Sequence, residues 1–130
     1  MLESGSGADA PGAFSLDEVH LDGGTVLLSV HGDADQHVAA DLKHRLSEVI
    51  EDGASSLVLD LSATTFLDSM ALGVLLGGMK RLRARGGSFR VVVPRTDIRR
   101  IFEITLLDRV FDLDGSREEA LSAAAQGVSP

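Results

Sequence analysis

LVLDLSATTFLDSMALGVLL, residues 57–76, decides the fold. Leu57 to Leu61 is a short, nearly continuous apolar run, as expected of a strand covered on both faces. A polar loop from Ser62 to Asp68 follows. From Ser69 the apolar residues Leu72, Leu75, Leu76, Met79 and Leu82 recur at helical spacing, so a helix runs to Arg85 and stops at Gly86-Gly87. A buried strand feeding a long helix through a short loop is the repeating unit of an α/β sheet.

The same unit recurs on both sides. Upstream, Phe14 to Leu21 is strand-like, with a shift in apolar parity that suggests a bulge or an irregular edge. Asp22-Gly23-Gly24 is a turn between two apolar runs and predicts a hairpin to a second strand, Thr25 to Val30. The segment His31 to Asp35 breaks the pattern. Val38, Leu42, Leu46, Val49 and Ile50 then mark a helix, with Asp35 as its N-cap and Asp52-Gly53 at its end. Downstream, Phe89 to Val93 is a strand closed by Pro94. Thr96-Asp97 caps a third helix carrying Ile98, Ile101, Phe102 and Ile104. Val110 to Leu113 is a last strand, and Asp114-Gly115-Ser116 turns into a final Ala-rich helix. The expected order is β-β-α-β-α-β-α-β-α. Strand–helix–strand units of this length imply parallel neighbours and right-handed crossovers. The expectation is one α/β domain over residues 13–125, with a mixed, mostly parallel sheet under covering helices. Residues 1–12 and 126–130 read as tails.

Composition narrows the chemistry. The chain has 130 residues, no cysteine, 12 Lys+Arg and 20 Asp+Glu, for a net charge of −8. Without cysteine there is no disulfide framework, thiolate metal site or thiol nucleophile. No apolar run approaches the ~20 residues of a membrane helix. The first residues lack the basic and apolar regions of a signal peptide. A cytoplasmic domain with no membrane partner is expected. Five Phe, no Tyr and no Trp leave little for base stacking, and the acidic balance argues against nucleic acid. The charge is uneven. Lys80 to Arg100 carries eight basic residues and one acid, the rest four basic and 19 acidic. That basic stretch reads as a solvated face or as a docking patch for an acidic partner.

No phosphate loop, dinucleotide fingerprint or nucleophile elbow is present. His37 and His44 stand two helical turns apart, too far for one metal ion without other ligands. No catalytic residue, metal site or cofactor is expected.

The informative feature is Asp68-Ser69 at the junction of loop and helix. Asp68 or Ser69 can cap the helix by accepting a hydrogen bond from a free N–H. Ser69 would also stand at the carboxyl edge of the sheet, where open α/β folds place their sites. A phosphate on it would be favoured by the helix dipole and the free N–H groups. The domain would stay folded, and the effect would fall on a partner built for a neutral serine. Gly73, Gly77 and Gly78 lie inside the helix, each at a cost of roughly 0.5–1 kcal/mol relative to alanine. Close packing inside the domain is the preferred reason. A flat backbone presented to something outside is the other.

These residues resemble a family. Leu57-Val-Leu-Asp-Leu-Ser, Phe66-Leu-Asp-Ser69, Leu72-Gly73, Arg85-Gly-Gly87, Val91-Val-Val93, Ile101-Phe102, Leu107-Asp108 and Val110-Phe111 look like the STAS domain of bacterial anti-sigma factor antagonists. Gly32-Asp33-Ala34-Asp35 matches that family's glycine-acidic-hydrophobic-Asp element. The resemblance covers residues 14–113. It implies an antagonist that binds an anti-sigma factor, itself a GHKL-type serine kinase, and so releases the sigma factor. It implies that the kinase switches the antagonist off by phosphorylating Ser69 and that a PP2C-type phosphatase restores it. Asp33, Asp35, Asp68, Ser69, Met70, Ala71 and Gly73 would form the partner surface. ATP would belong to the partner. Met70-Ala71 departs from the family's usual Ser/Thr-Gly and bears on partner choice, Ala71 adding a methyl where a partner's backbone approaches. The resemblance also admits a STAS subunit of a lipid-transport ABC complex, with a structural, unphosphorylated role. Either way the chain would be a monomer or weak dimer.

Overall fold

The computed structural model describes residues 13–126. The tail expected over residues 1–12 lies outside them, as does all of the other beyond Gln126. The described chain is an α/β domain. Its elements run β1 (Ser15–His20), β2 (Thr25–Ala34), α1 (Ala39–Glu51), β3 (Ser56–Asp60), β4 (Thr64–Leu67), α2 (Ser69–Ala84), β5 (Ser88–Val92), α3 (Thr96–Ile104), β6 (Asp112–Asp114) and α4 (Arg117–Ala125). The sheet order is β1-β2-β3-β5-β6, with β1 antiparallel to β2 and the others parallel.

Strand alternation sorts the apolar side chains onto two faces. On one, Val26, Leu28, Leu57, Leu59, Phe89 and Val91 pack under α1, α2 and α3. Phe111 closes that core, edge-on to Phe102 with ring centroids 5.5 Å apart. On the other face Leu27, Val58 and Val92 meet Ala120 and Ala124 of α4. Ser116 caps α4 by accepting from the Glu119 N–H (3.1 Å), while the Glu119 carboxylate accepts from the Gly115 N–H (3.0 Å). This reciprocal pair is a capping box.

Four expectations need correction. The segment Ser62–Asp68 is not all loop. Thr64–Leu67 is a strand that pairs parallel with the end of β2, Gly32 opposite Thr64 and Ala34 opposite Leu67. Accordingly β2 continues through Ala34 instead of breaking at His31. Gly32, with φ of 84°, absorbs the register shift where β2 changes partners. No bulge interrupts β1. Its register with β2 is continuous from Ser15 to His20, and the parity shift arises because Val19 and Leu21 simply face solvent. Finally, Asp35 does not cap α1, and neither Thr96 nor Asp97 caps α3. Those helices start after Val38 and Arg95, neither of which makes a side-chain capping bond. Asp35 accepts from the His37 N–H (2.9 Å) and closes a turn two residues ahead of the helix.

Candidate functional site

The site is assembled at the carboxyl edge of the sheet by the detour through β4. Beyond Asp60 the chain turns. The Asp60 carboxylate accepts from the amide and hydroxyl of Ser62, and the buried Thr64 hydroxyl donates to the Val30 carbonyl (2.8 Å). The four residues of β4 then carry the chain along the end of β2, and Asp68 N–H donates to the Ala34 carbonyl (3.2 Å). The start of α2 is therefore locked to the end of β2.

Asp68 completes the lock with its side chain. One carboxylate oxygen accepts from the Ala71 N–H (3.0 Å) and caps α2. The other accepts from the Gln36 N–H (2.8 Å), in the connection between β2 and α1. One residue thus fixes both the helix start and the neighbouring loop. Asp33 stands beside it at the end of β2 and accepts from the Thr65 hydroxyl (2.6 Å). Asp33, Asp35 and Asp68 are half-buried carboxylates on one rim.

Ser69 is the first residue of α2. It is exposed, and its hydroxyl makes no hydrogen bond among the described residues. It sits at the positive end of a 16-residue helix, where the first N–H groups lack intrahelical acceptors. The helix dipole favours an anion attached to the hydroxyl, while nearby carboxylates oppose it. The three nearby carboxylates make the rim around it negative.

The residues picked out from sequence separate into two groups. Asp33, Asp35, Asp68, Ser69, Met70 and Gly73 share this edge, with Met70 56% exposed. Ala71 does not share it. It is fully buried in the core cluster, so its methyl faces the sheet and only its backbone takes part, as donor to Asp68. The departure that a partner would meet is Met70. Sequence reasoning missed Gln36 and Thr65, because they act through a backbone N–H and a cross-strand pairing 32 residues away. It also missed Lys43 and Val74, while Gly77 was picked out for its bare backbone. Lys43, Val74 and Gly77 line a groove of about 380 Å³ between α1 and α2 that opens beside Ser69. The periodicity of α1 carried a signal for Lys43, one residue after the core position Leu42.

The basic stretch is largely spent within the domain. Arg81 reaches Ser47 and Glu51, Arg83 reaches Asp112, Arg85 donates to the Ile50 carbonyl, and Arg90 is paired twice with Asp114. The Asp114 carboxylate raises the Arg90 pKa above its ordinary value, against the opposing effect of burial. The glycines divide likewise. A Cβ on Gly78 would lie 3.3 Å from Leu46, so close packing explains that one; on Gly73 or Gly77 it would meet nothing within 4 Å.

A family model described as "STAS domain" matches residues 18–120. The anti-sigma-F factor antagonist RsfB of Mycobacterium tuberculosis is 33% identical over 104 residues, covering 80% of this chain and 84% of that protein. The anti-sigma-B factor antagonist of Bacillus subtilis is 29% identical over 93 residues, covering 72% of this chain and 84% of that one. Among solved structures, an anti-sigma factor antagonist from Mycobacterium paratuberculosis superposes with a TM-score of 0.77 at 32% identity. That match covers 89% of this chain and 97% of that one.

Proposed function

The chain belongs to the STAS domain family, and from that premise we propose that it is an anti-sigma factor antagonist switched by phosphorylation of Ser69. In the unmodified state it binds an anti-sigma factor of the GHKL-type serine kinase class and so frees the sigma factor. The kinase supplies the ATP. The Ser69 hydroxyl oxygen forms a bond to the γ-phosphorus, the bond to the ADP oxygen breaks, and the hydroxyl proton passes to the kinase. A PP2C-type phosphatase reverses the modification by hydrolysis. The named function of the relatives supports the role. The observation that carries the switch is Ser69 itself: exposed, unbonded among the described residues, and at the head of a helix whose cap is already filled by Asp68.

The geometry explains why modification would act on the partner and not on the fold. The Asp68 carboxylate, not the Ser69 hydroxyl, holds α2 and the β2–α1 connection. A phosphate carries about −1.5 to −2 charge. At Ser69 it would join three carboxylates and change the rim from mildly to strongly negative, without breaking an internal bond. Pull-down from the source lysate with wild type, Ser69→Ala and Ser69→Asp tests this, with intact-mass analysis of the recovered chain. Wild type and Ser69→Ala should capture the same kinase, Ser69→Asp far less of it, and only wild type should gain the mass of one phosphate. Equal capture by the two variants would sink the switch.

A further inference from the structure

Two properties of α2 have no use inside the domain. Gly73 and Gly77 are exposed one turn apart, and no neighbour needs their missing side chains. They border the groove between α1 and α2, whose apolar lining includes Leu46, Val74 and Met70. The second property is charge. Asp33, Asp35 and Asp68 surround the N-terminal end of α2, whereas its C-terminal end carries the exposed Lys80, beside Arg81 and Arg83, which are engaged by Glu51 and Asp112. Lys80 makes no ion pair among the described residues. A complementary occupant must be basic where α2 is acidic and acidic where α2 is basic. It must also approach the glycines closely. A second copy of α2 laid antiparallel meets each condition.

We infer that this face of α2 is a self-association surface, on which α2 of a second copy packs antiparallel about a two-fold axis level with Leu75. That register sets Gly73 opposite Gly77 of the second copy, Met70 opposite its Lys80, and Ser69 opposite its Arg81. The two bare backbones allow close approach at the crossing. The acidic rim of each copy faces the exposed Lys80 of the other, and the helix dipoles oppose one another. The contact is isologous, so every favourable pair occurs twice. The dimer covers Ser69 and Met70. On the reading of that edge as the docking site for the kinase, self-association and partner binding exclude one another.

Sedimentation equilibrium of the full chain over a wide concentration range tests the surface without any partner. Wild type should follow a monomer–dimer equilibrium that weakens with added salt. Met70→Lys sets like charges together in the antiparallel register and should weaken the dimer by about tenfold or more. Lys80→Glu should also weaken it, by removing the cation that faces the acidic rim. The double variant Met70→Lys/Lys80→Glu recreates an attractive pair across the axis and should associate more tightly than either single variant. Gly77→Leu should abolish association yet keep the circular dichroism of the wild type, because the space outside it is open. A chain that stays monomeric at every concentration would overturn the proposal and leave the groove to a helix of another protein. A double variant no tighter than Met70→Lys would overturn the antiparallel register. The chain is used unphosphorylated, so these outcomes do not depend on whether a kinase modifies Ser69.

Discussion

Asp68 accepts two backbone hydrogen bonds from two different elements, one with each carboxylate oxygen. Its removal costs a helix cap and the tie to the β2–α1 connection. Asp68→Ala should destabilise the domain by about 1–2 kcal/mol, read from the urea midpoint. Asp68→Asn keeps one acceptor oxygen and should lose about half as much. At the other end of the molecule, Leu106 has φ of 62°, the left-handed region that costs a side-chain-bearing residue about 1–2 kcal/mol. Its side chain is 54% exposed, so little burial opposes its loss. Leu106→Gly should raise the melting temperature in scanning calorimetry, and a fall would mean that the leucine packs better than its exposure implies. Single residues were the most legible level of this sequence. Asp68 and Ser69 announced themselves because capping chemistry is local. The second bond of Asp68 was not legible, since Gln36 contributes only a backbone N–H, from 32 residues upstream.

At the level of elements, the glycines of α2 make a stability series. Gly73→Ala and Gly77→Ala should each stabilise the domain by roughly 0.5–1 kcal/mol, because the added methyl meets nothing within 4 Å. Gly78→Ala should gain less or lose, since its methyl would press on the Leu46 side chain at 3.3 Å. Equilibrium unfolding of the three variants side by side checks the order. Five strands and four helices were readable from apolar spacing, turns and composition, to within a few residues at their ends. The strand β4 was not. Thr64-Thr65-Phe66-Leu67 buries only its first and last residues and pairs with just the end of β2, so its strand character comes from tertiary contact and not from local pattern. The start of α1 was misplaced for a related reason. Asp35 has the chemistry of a cap, but its backbone is held at the strand end, and its carboxylate serves a turn instead.

Across the whole molecule, one ion pair joins the back helix to the sheet. Arg117 at the start of α4 reaches Asp60 in β3 through two nitrogens, at 2.9 and 2.7 Å, and its guanidinium also lies 3.4 Å from the Ser29 hydroxyl. Burial alone would push the Asp60 carboxyl up. The hydrogen bonds from the Ser62 hydroxyl and amide and from Arg117, with the Arg117 charge, together outweigh it and hold the carboxyl below its ordinary range. A carboxyl lowered in the folded state stabilises the fold fully above its unfolded pKa of about 3.9. That contribution is lost as the pH falls through the lower, folded pKa. Asp60→Asn should therefore be less stable than wild type at neutral pH, with the difference shrinking in acid. Urea unfolding at a series of pH values checks the convergence; a constant difference would mean that Asp60 contributes through shape alone. Nothing in the sequence connected two residues 57 positions apart, and the destination of the basic stretch was equally hidden. Its excess charge read as a solvated face or a docking patch, and most of it closes pairs within the domain.

The ten-residue strand β2 joins three others: β1 and β3 along its first half and β4 at its end. That arrangement imposes an order of assembly on a chain emerging from the ribosome. The β1–β2 hairpin can close once Ala34 is out, using only local contacts. The core under α1 must wait for β3. The rim waits longer, because Ala34 and Gln36 remain unpartnered until Asp68 arrives, with β5, α3, β6 and α4 still to follow. A nascent chain released before α2 begins would hold the hairpin and part of the sheet, but no rim and no serine. The rim thus closes near the middle of the chain, before β5 and β6 complete the sheet.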